Sequence, residues 1–428
     1  VKILLVAPYV GVPQYGGRKK VPFPPLGLLT VAGLTPPEMD VRLIDEAVEP
    51  VDFEGRWDLV GISANTAQAP RAYAIADTFR RRGIPVVLGG IHPTALPEEA
   101  ARHADAVVVG EAEASWPRLL DDFSRGRLQR YYRPHGYPPL EGVRVRRDLL
   151  RPGAYLVPNT VQTTRGCPYN CLFCSVTRFF GATYRTRPVS EVAEEVRQLS
   201  GDLVVFVDDN IVGRPAYARQ LFTALRGLGK KWLSQASVNH LRDEELVKLA
   251  AASGCRGLFI GFETLSLASL RSLRKGANDV RVYAEVIERL HAYGIGVIGA
   301  FILGLDEDGP DIFDRVLEFS YRVKVDLLQV SILTPLPGTA LWEQMEKEGR
   351  IFDREWSKYN GNHVVFWPRR LSPERLQEGF RYILREAYSW RGILRRLTRP
   401  HRHSLLFGFM NLIFRRGVRR YLARTARV

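Results

Sequence analysis

Apolar residues fall along this chain in short unbroken runs, separated by stretches of helical spacing, and the pattern occurs twice. Between residues 1 and 125 the runs "KILLVAP", "VRLID", "LVGISA", "PVVLGG" and "AVVVG" are rich in Val, Ile and Leu without alternation. Strands of that kind are buried on both faces, as in a parallel sheet. The segment "RAYAIADTFRRRG" has the spacing of an amphipathic helix and ends at Gly83, a C-terminal stop signal. Together these predict a doubly wound, Rossmann-like α/β sheet whose ligand crevice lies beyond the carboxyl ends of its strands. Those ends carry Leu26 and Gly27 in "PPLGLL", Ser63 and Thr66 in "ISANTAQ", Gly89, Gly90 and His92 in "GGIHP", and Gly110 and Glu111 in "GEAE".

A stretch rich in proline, glycine and charge follows and reads as a linker over 131–157. The second series then begins with different contents: "TVQTTRG", "LVVFVDD", "WLSQASV", "GLFIGFE", "GVIGAFILGL" and "LLQVSILTP" are strand candidates, with "VSEVAEEVRQL" and "DEELVKLAAASG" among the helices between them. Six such units in roughly 180 residues fit a partial (β/α)6 barrel with its chemistry at the strand C-termini. After about Trp342 the chain turns aromatic and mixed, then helical. The expected organisation is a first domain over 1–130, a barrel over 158–342, and a small, mostly helical C-terminal domain over 343–428 packed over the barrel mouth.

Composition narrows the class. At 428 residues with 46% hydrophobic residues, the chain can form about two or three domains with proper cores. No signal peptide is evident at "VKILLVAPYV" and no apolar stretch approaches a membrane span. The four cysteines are too unevenly spaced for a secreted disulfide framework, so a cytoplasmic protein with metal or redox chemistry is expected. The net charge of +15 comes mainly from eleven arginines after Glu386, where no acidic residue occurs, leaving +4 for the rest. A basic groove through the body is therefore not implied, which argues against a nucleic-acid partner.

Three of the cysteines, Cys167, Cys171 and Cys174, stand within "RGCPYNCLFCSV", directly after the first strand of the second series. A structural zinc takes four closed ligands, and no histidine lies among them. The fourth cysteine, Cys255, lies far along at the start of another strand and suits a small buried hydrophobe. Three thiolates on one loop fit a four-iron cluster with one iron free of protein ligands. The C-x3-C-x2-C spacing, with Phe173 before the last cysteine, resembles the signature of the radical S-adenosylmethionine (SAM) superfamily. That resemblance implies a [4Fe-4S] cluster on the three cysteines, with SAM chelated at the open iron. It also implies reductive cleavage of SAM to a 5′-deoxyadenosyl radical, and an electron donor such as flavodoxin or ferredoxin. Asp208 and Asp209 in "FVDDN" stand where the family often holds the methionine amino group. Glu263 in "GFET" would face the ribose or methionine, and Ile302 and Gly304 in "FILGLDED" would lie along the adenine.

The first domain resembles the cobalamin-binding domain fused in front of many radical SAM enzymes, in the branch with hopanoid methyltransferases and bacteriochlorophyll-type cyclases. Leu26, Gly27, Ser63, Thr66, Gly89, Gly90, His92, Gly110 and Glu111 are then its expected cobalamin-binding residues. It lacks the D-x-H-x-x-G motif that gives cobalt a lower histidine, so His92 is expected to serve its own turn. With cobalamin bound, the resemblance implies methyl transfer to an unactivated carbon, of a lipid or isoprenoid for example. Without it, the radical would drive cyclisation, oxidation or C–C coupling, and a non-catalytic iron–sulfur or lipid-binding protein is the third reading. The tail "SLLFGFMNLIFRRGVRRYLARTARV" joins an apolar stretch to an arginine-rich end. It fits either peripheral contact with a membrane or a subunit contact.

Overall fold

The computed structural model describes residues 1–11, 21–398 and 404–425. Among the described residues the first series forms six parallel strands, β1 (Lys2–Ala7), β2 (Asp40–Asp45), β3 (Leu59–Ser63), β4 (Val86–Gly89), β5 (Ala106–Val108) and β6 (Tyr131–Tyr132). Their order is β2-β1-β3-β4-β5-β6, which places a topological switch point beside β1. The five predicted strands are present. The sixth was not foreseen: Tyr131–Tyr132 lies at the start of the expected linker, where it pairs with Val107 and Val108. Two residues are too few for a hydrophobic period to show. Helix Ala69–Arg81 matches its predicted segment, and Gly83 beyond it adopts φ 75°, the left-handed turn that glycine permits.

The second series opens with β7 (Thr160–Val161), then β8 (Thr164–Arg165) and β9 (Arg185–Thr186), which pair antiparallel. It continues through β10 (Leu203–Phe206), β11 (Lys231–Ala236), β12 (Cys255–Glu263), β13 (Gly296–Leu303) and β14 (Leu327–Ile332). Six of these form a parallel sheet in the order β14-β13-β12-β11-β10-β7, the expected partial barrel. "TVQTTRG" thus splits into β7 and β8, because β8 leaves the sheet to pair with β9 across the cysteine loop.

The C-terminal region meets the barrel mouth in part: Phe366 and Leu376 close on Gly304 at the C-terminal end of β13, and the carbonyl of Gly361 accepts from Ile332 at the end of β14, while the helices run down the barrel's flank. Helix Pro373–Ala387 packs with Leu376 and Phe380 into the barrel core, and Leu376 would contact any side chain at Gly304. Tyr388 donates to the carbonyl of Leu328 on β14. Helix Ser404–Thr425 sets Phe407 against Gly257 and Gly296, at the N-terminal ends of β12 and β13; a Cβ on Gly296 would stand 2.0 Å from the ring. Strand β14 is the free edge of an open barrel, and such an edge needs covering; so does the far end of the barrel interior. These needs account for the C-terminal helices, and the segment before them reaches the mouth. The turn Trp356–Lys358 reaches the first domain: the indole of Trp356 donates to Glu99 at 2.9 Å and lies edge-on to His92.

Candidate active site

The cysteine loop leaves β8 at Gly166, whose φ is 86° and whose position leaves no room for a side chain: a Cβ would lie 2.2 Å from the carbonyl of Thr183. Cys167 and Cys174 are half-buried and Cys171 is buried. The amide of Cys174 donates to the carbonyl of Cys171, and Leu172 between them ties the loop to the barrel through the carbonyl of Leu273. Cys174 caps the helix Ser175–Phe180. Burial raises all three thiols, Cys174 to about 11, so a metal must displace their protons on binding. Among the described residues no three His, Cys, Asp or Glu side chains are gathered as a single-ion cage. An iron–sulfur cluster instead takes its thiolates on separate irons. The donor set is three soft sulfurs, with no fourth protein ligand among the described residues, and suits such a cluster. Cys255 is fully buried at the opposite end of β12 from Glu263, as a small hydrophobe.

Behind the loop the two aspartates divide their work. Asp208 is fully buried, and its Oδ1 accepts from the amide (3.0 Å) and hydroxyl (2.9 Å) of Thr163 and from the amide and hydroxyl of Thr164. Burial lifts its carboxyl to about 6, although the threonine donors pull the other way. Asp208 Oδ1 therefore fastens β8, and with it the root of the cysteine loop, while its Oδ2 is buried without a partner. Asp209 borders Cys167: burial and then the charge of Asp208 push its carboxyl up to about 7, and its Oδ2 is buried without a partner. An unpartnered buried carboxylate oxygen is costly until a donor arrives, and an ammonium group on SAM would supply one.

Glu263 ends β12 with φ 64°, rare for a residue other than glycine, and the register shifts between Gly261 and Glu263. Backbone strain of this kind gathers at functional sites. Its Oε1 accepts from Lys275 Nζ at 2.8 Å, and that ammonium lies 5.9 Å from the ring centre of Phe173. Burial pulls Lys275 down, but Glu263 and then Cys171 outweigh it and hold the ammonium above the usual lysine range. Lys275 had no signal in the sequence: it lies in the loop after helix Leu267–Ser272, outside every motif. Ile302 is half-buried near the end of β13. Gly304 follows with φ 89°, its amide donating to Asp308 Oδ2 at 2.9 Å. Asp308 is buried, also accepts from the amide of Leu305 at 3.0 Å, and is the residue that shapes this turn.

In the first domain a cavity of about 300 Å³ opens between helix Leu26–Gly33, the sheet and Trp116. Its floor is apolar, including Leu5, Gly61 and Val87, and a Cβ at Gly61 would meet Leu5 at 2.9 Å. Seven of the nine expected residues line it: Leu26, Gly27, Ser63, Gly89, Gly90, Gly110 and Glu111. Thr66 and His92 do not. The turn holding Thr66 packs on the turn of Trp356 instead, while His92 is fully buried with Nε2 3.2 Å from Glu99. The cavity's glycines and Ser63 would be the residues that hold cobalamin, which would supply the methyl group. From the barrel side Gln162, Arg165, Phe179, Phe180 and Val207 close the cavity, so it lies beside the helix that follows Cys174. Glu111 also ties the domains together: it accepts from Arg165 at 2.6 Å and from Arg185, and Arg165 reaches Glu113 at 2.5 Å.

A parallel-sheet domain with a glycine-mouthed slot, set against an open barrel with three cysteines at its catalytic end, defines a radical SAM protein carrying a cobalamin module. Comparison with known proteins agrees. Residues 161–320 match the radical SAM superfamily model, 16–120 the B12 binding domain, and 339–405 a domain of unknown function. The chain is 34% identical over 389 residues to bacteriochlorophyllide d C-12(1)-methyltransferase of Chlorobaculum tepidum, covering 87% of this chain and 84% of that one. It is 26% identical to the hopanoid C-2 methylase of Rhodopseudomonas palustris, covering 92% and 81%. In fold it resembles the radical SAM methyltransferase TsrM of Kitasatospora setae, with TM-score 0.67 at 19% identity, over 81% of this chain and 78% of that one. The chain belongs to the family of cobalamin-dependent radical SAM methyltransferases, and its cofactors are a [4Fe-4S] cluster, SAM and cobalamin.

Proposed function

We propose that this protein methylates an unactivated carbon of a bulky, largely apolar substrate, a polycyclic lipid or a tetrapyrrole. When bound, the cluster and SAM supply a 5′-deoxyadenosyl radical, and cobalamin supplies the methyl group. The observation that carries the reading is the cavity shared by the two domains, with glycines on the cobalamin side and Phe179, Phe180 and Val207 on the barrel side. Such a shared cavity would set the methyl donor beside the radical end of the barrel, and its apolar barrel-side wall would keep water from a reactive radical. The cysteine loop holds the cluster, Asp209 receives the ammonium of SAM, and the Glu263–Lys275 pair borders the cluster side of the site. Relatives named for bacteriochlorophyllide and hopanoid substrates support the size and polarity of this substrate class. A flavodoxin or ferredoxin would supply electrons.

The test is anaerobic turnover of the cluster- and cobalamin-loaded protein with SAM and a reductant, against a hopanoid and a bacteriochlorophyllide. Methylated product should appear with 5′-deoxyadenosine and S-adenosylhomocysteine in equal amounts. Production of 5′-deoxyadenosine with neither methylated product nor S-adenosylhomocysteine, from either substrate, would refute methyl transfer to this class.

A further inference from the structure

Helix Ser404–Thr425 has two faces with different partners. One is buried against the barrel: Phe407, Asn411, Val418 and Tyr421 are all within 3% of full burial, and Asn411 Nδ2 donates to the carbonyl of Asp326 at 2.8 Å. The opposite face meets solvent. Leu405, Phe409 and Leu412 follow one another at helical spacing on that face, with relative exposures of 92%, 59% and 42%. The same stripe continues into Arg416, Arg419 and Arg420, all exposed. The adjoining helix Trp390–Arg396 adds exposed Trp390 and Leu394, and Arg415 stacks over the Trp390 ring at 4.5 Å. No acidic residue occurs beyond Glu386.

We propose that this face docks the protein on an anionic phospholipid bilayer. Exposed apolar side chains gain by entering the acyl boundary, a tryptophan suits the headgroup level, and arginines on the same stripe meet lipid phosphates. Among the described residues no helix is long and apolar enough to cross a membrane, so the contact is interfacial. A second copy of the chain fits worse, since it would set arginine against arginine. A nucleic acid would match the arginines and leave Leu405 and Leu412 exposed. Phe407 marks the N-terminal ends of β12 and β13, whereas the cysteine loop stands at the C-terminal ends of the strands. At the helix's other end Tyr421 donates to the carbonyl of Asn362, next to Gly361 at the C-terminal end of β14, so the helix runs along the barrel's flank and docking lays that flank on the lipid surface.

The full-length, cluster-loaded protein is sedimented with vesicles of phosphatidylglycerol and phosphatidylcholine, and with phosphatidylcholine alone. Binding should be at least about tenfold stronger to the anionic vesicles. A Leu405→Glu/Phe409→Glu variant should lose it, and an Arg416→Gln/Arg419→Gln/Arg420→Gln variant should lose the anionic preference. Both should keep their cluster absorbance and their far-ultraviolet circular dichroism. Wild-type protein that stays in the supernatant, variants that bind like wild type, or a protein stripped from vesicles by RNA that binds it more tightly would each overturn the proposal.

Discussion

Asp208 and Asp209 are adjacent in sequence and unlike in circumstance. Asp208 gives one oxygen to four threonine donors beneath the loop, whereas Asp209 borders Cys167; the Oδ2 of each is buried without a partner. Replacing Asp209 with Asn removes the charge that would hold an ammonium. The KM for SAM in 5′-deoxyadenosine formation should rise about 10–100-fold while iron content stays at the wild-type level. Lys275 acts through its charge: it neutralises Glu263 beside the thiol loop. A Lys275→Met variant should lower the cluster's midpoint potential, because added negative charge would face one positive charge fewer. A redox titration followed by electron paramagnetic resonance reads the shift, and an unchanged potential would contradict this role.

Elements carry the binding surfaces that single residues cannot. Helix Leu26–Gly33 forms one wall of the first-domain slot, and a Cβ at Gly27 would meet nothing within 4 Å. A Gly27→Phe change should therefore fill the slot mouth without distorting the helix. Cobalamin retained through gel filtration should fall at least about tenfold, with cluster iron unchanged. Most elements were legible beforehand, because strands buried on both faces announce themselves as unbroken apolar runs. Strand β6 and the β8–β9 hairpin were not, since a two-residue strand is made by its partner rather than by its own pattern.

At the scale of the whole molecule, Glu111 holds the two domains in register. It was expected as a cobalamin residue, and it does line the slot, but both of its oxygens are committed to Arg165 and Arg185 across the domain boundary. Breaking a buried pair from one side leaves uncompensated charge. A Glu111→Ala variant should lose about 3–5 kcal/mol of stability in urea unfolding. Its cobalamin occupancy should fall as well, because the barrel wall of the cavity is anchored there. Retained occupancy with lowered stability would mean that the slot needs only its own domain.

The sequence alone determined the chemistry of the first step and the type of both sheets. The reason is locality: three cysteines within one short loop, and apolar runs within single strands, carry their meaning in their own neighbourhood. The tertiary structure decided which distant residues share a site. Lys275 beside Glu263, Arg165 and Arg185 around Glu111, and Phe407 at the far end of the barrel depend on strand order and on how open edges are covered. No periodicity records such meetings, because they are made only when the chain closes on itself.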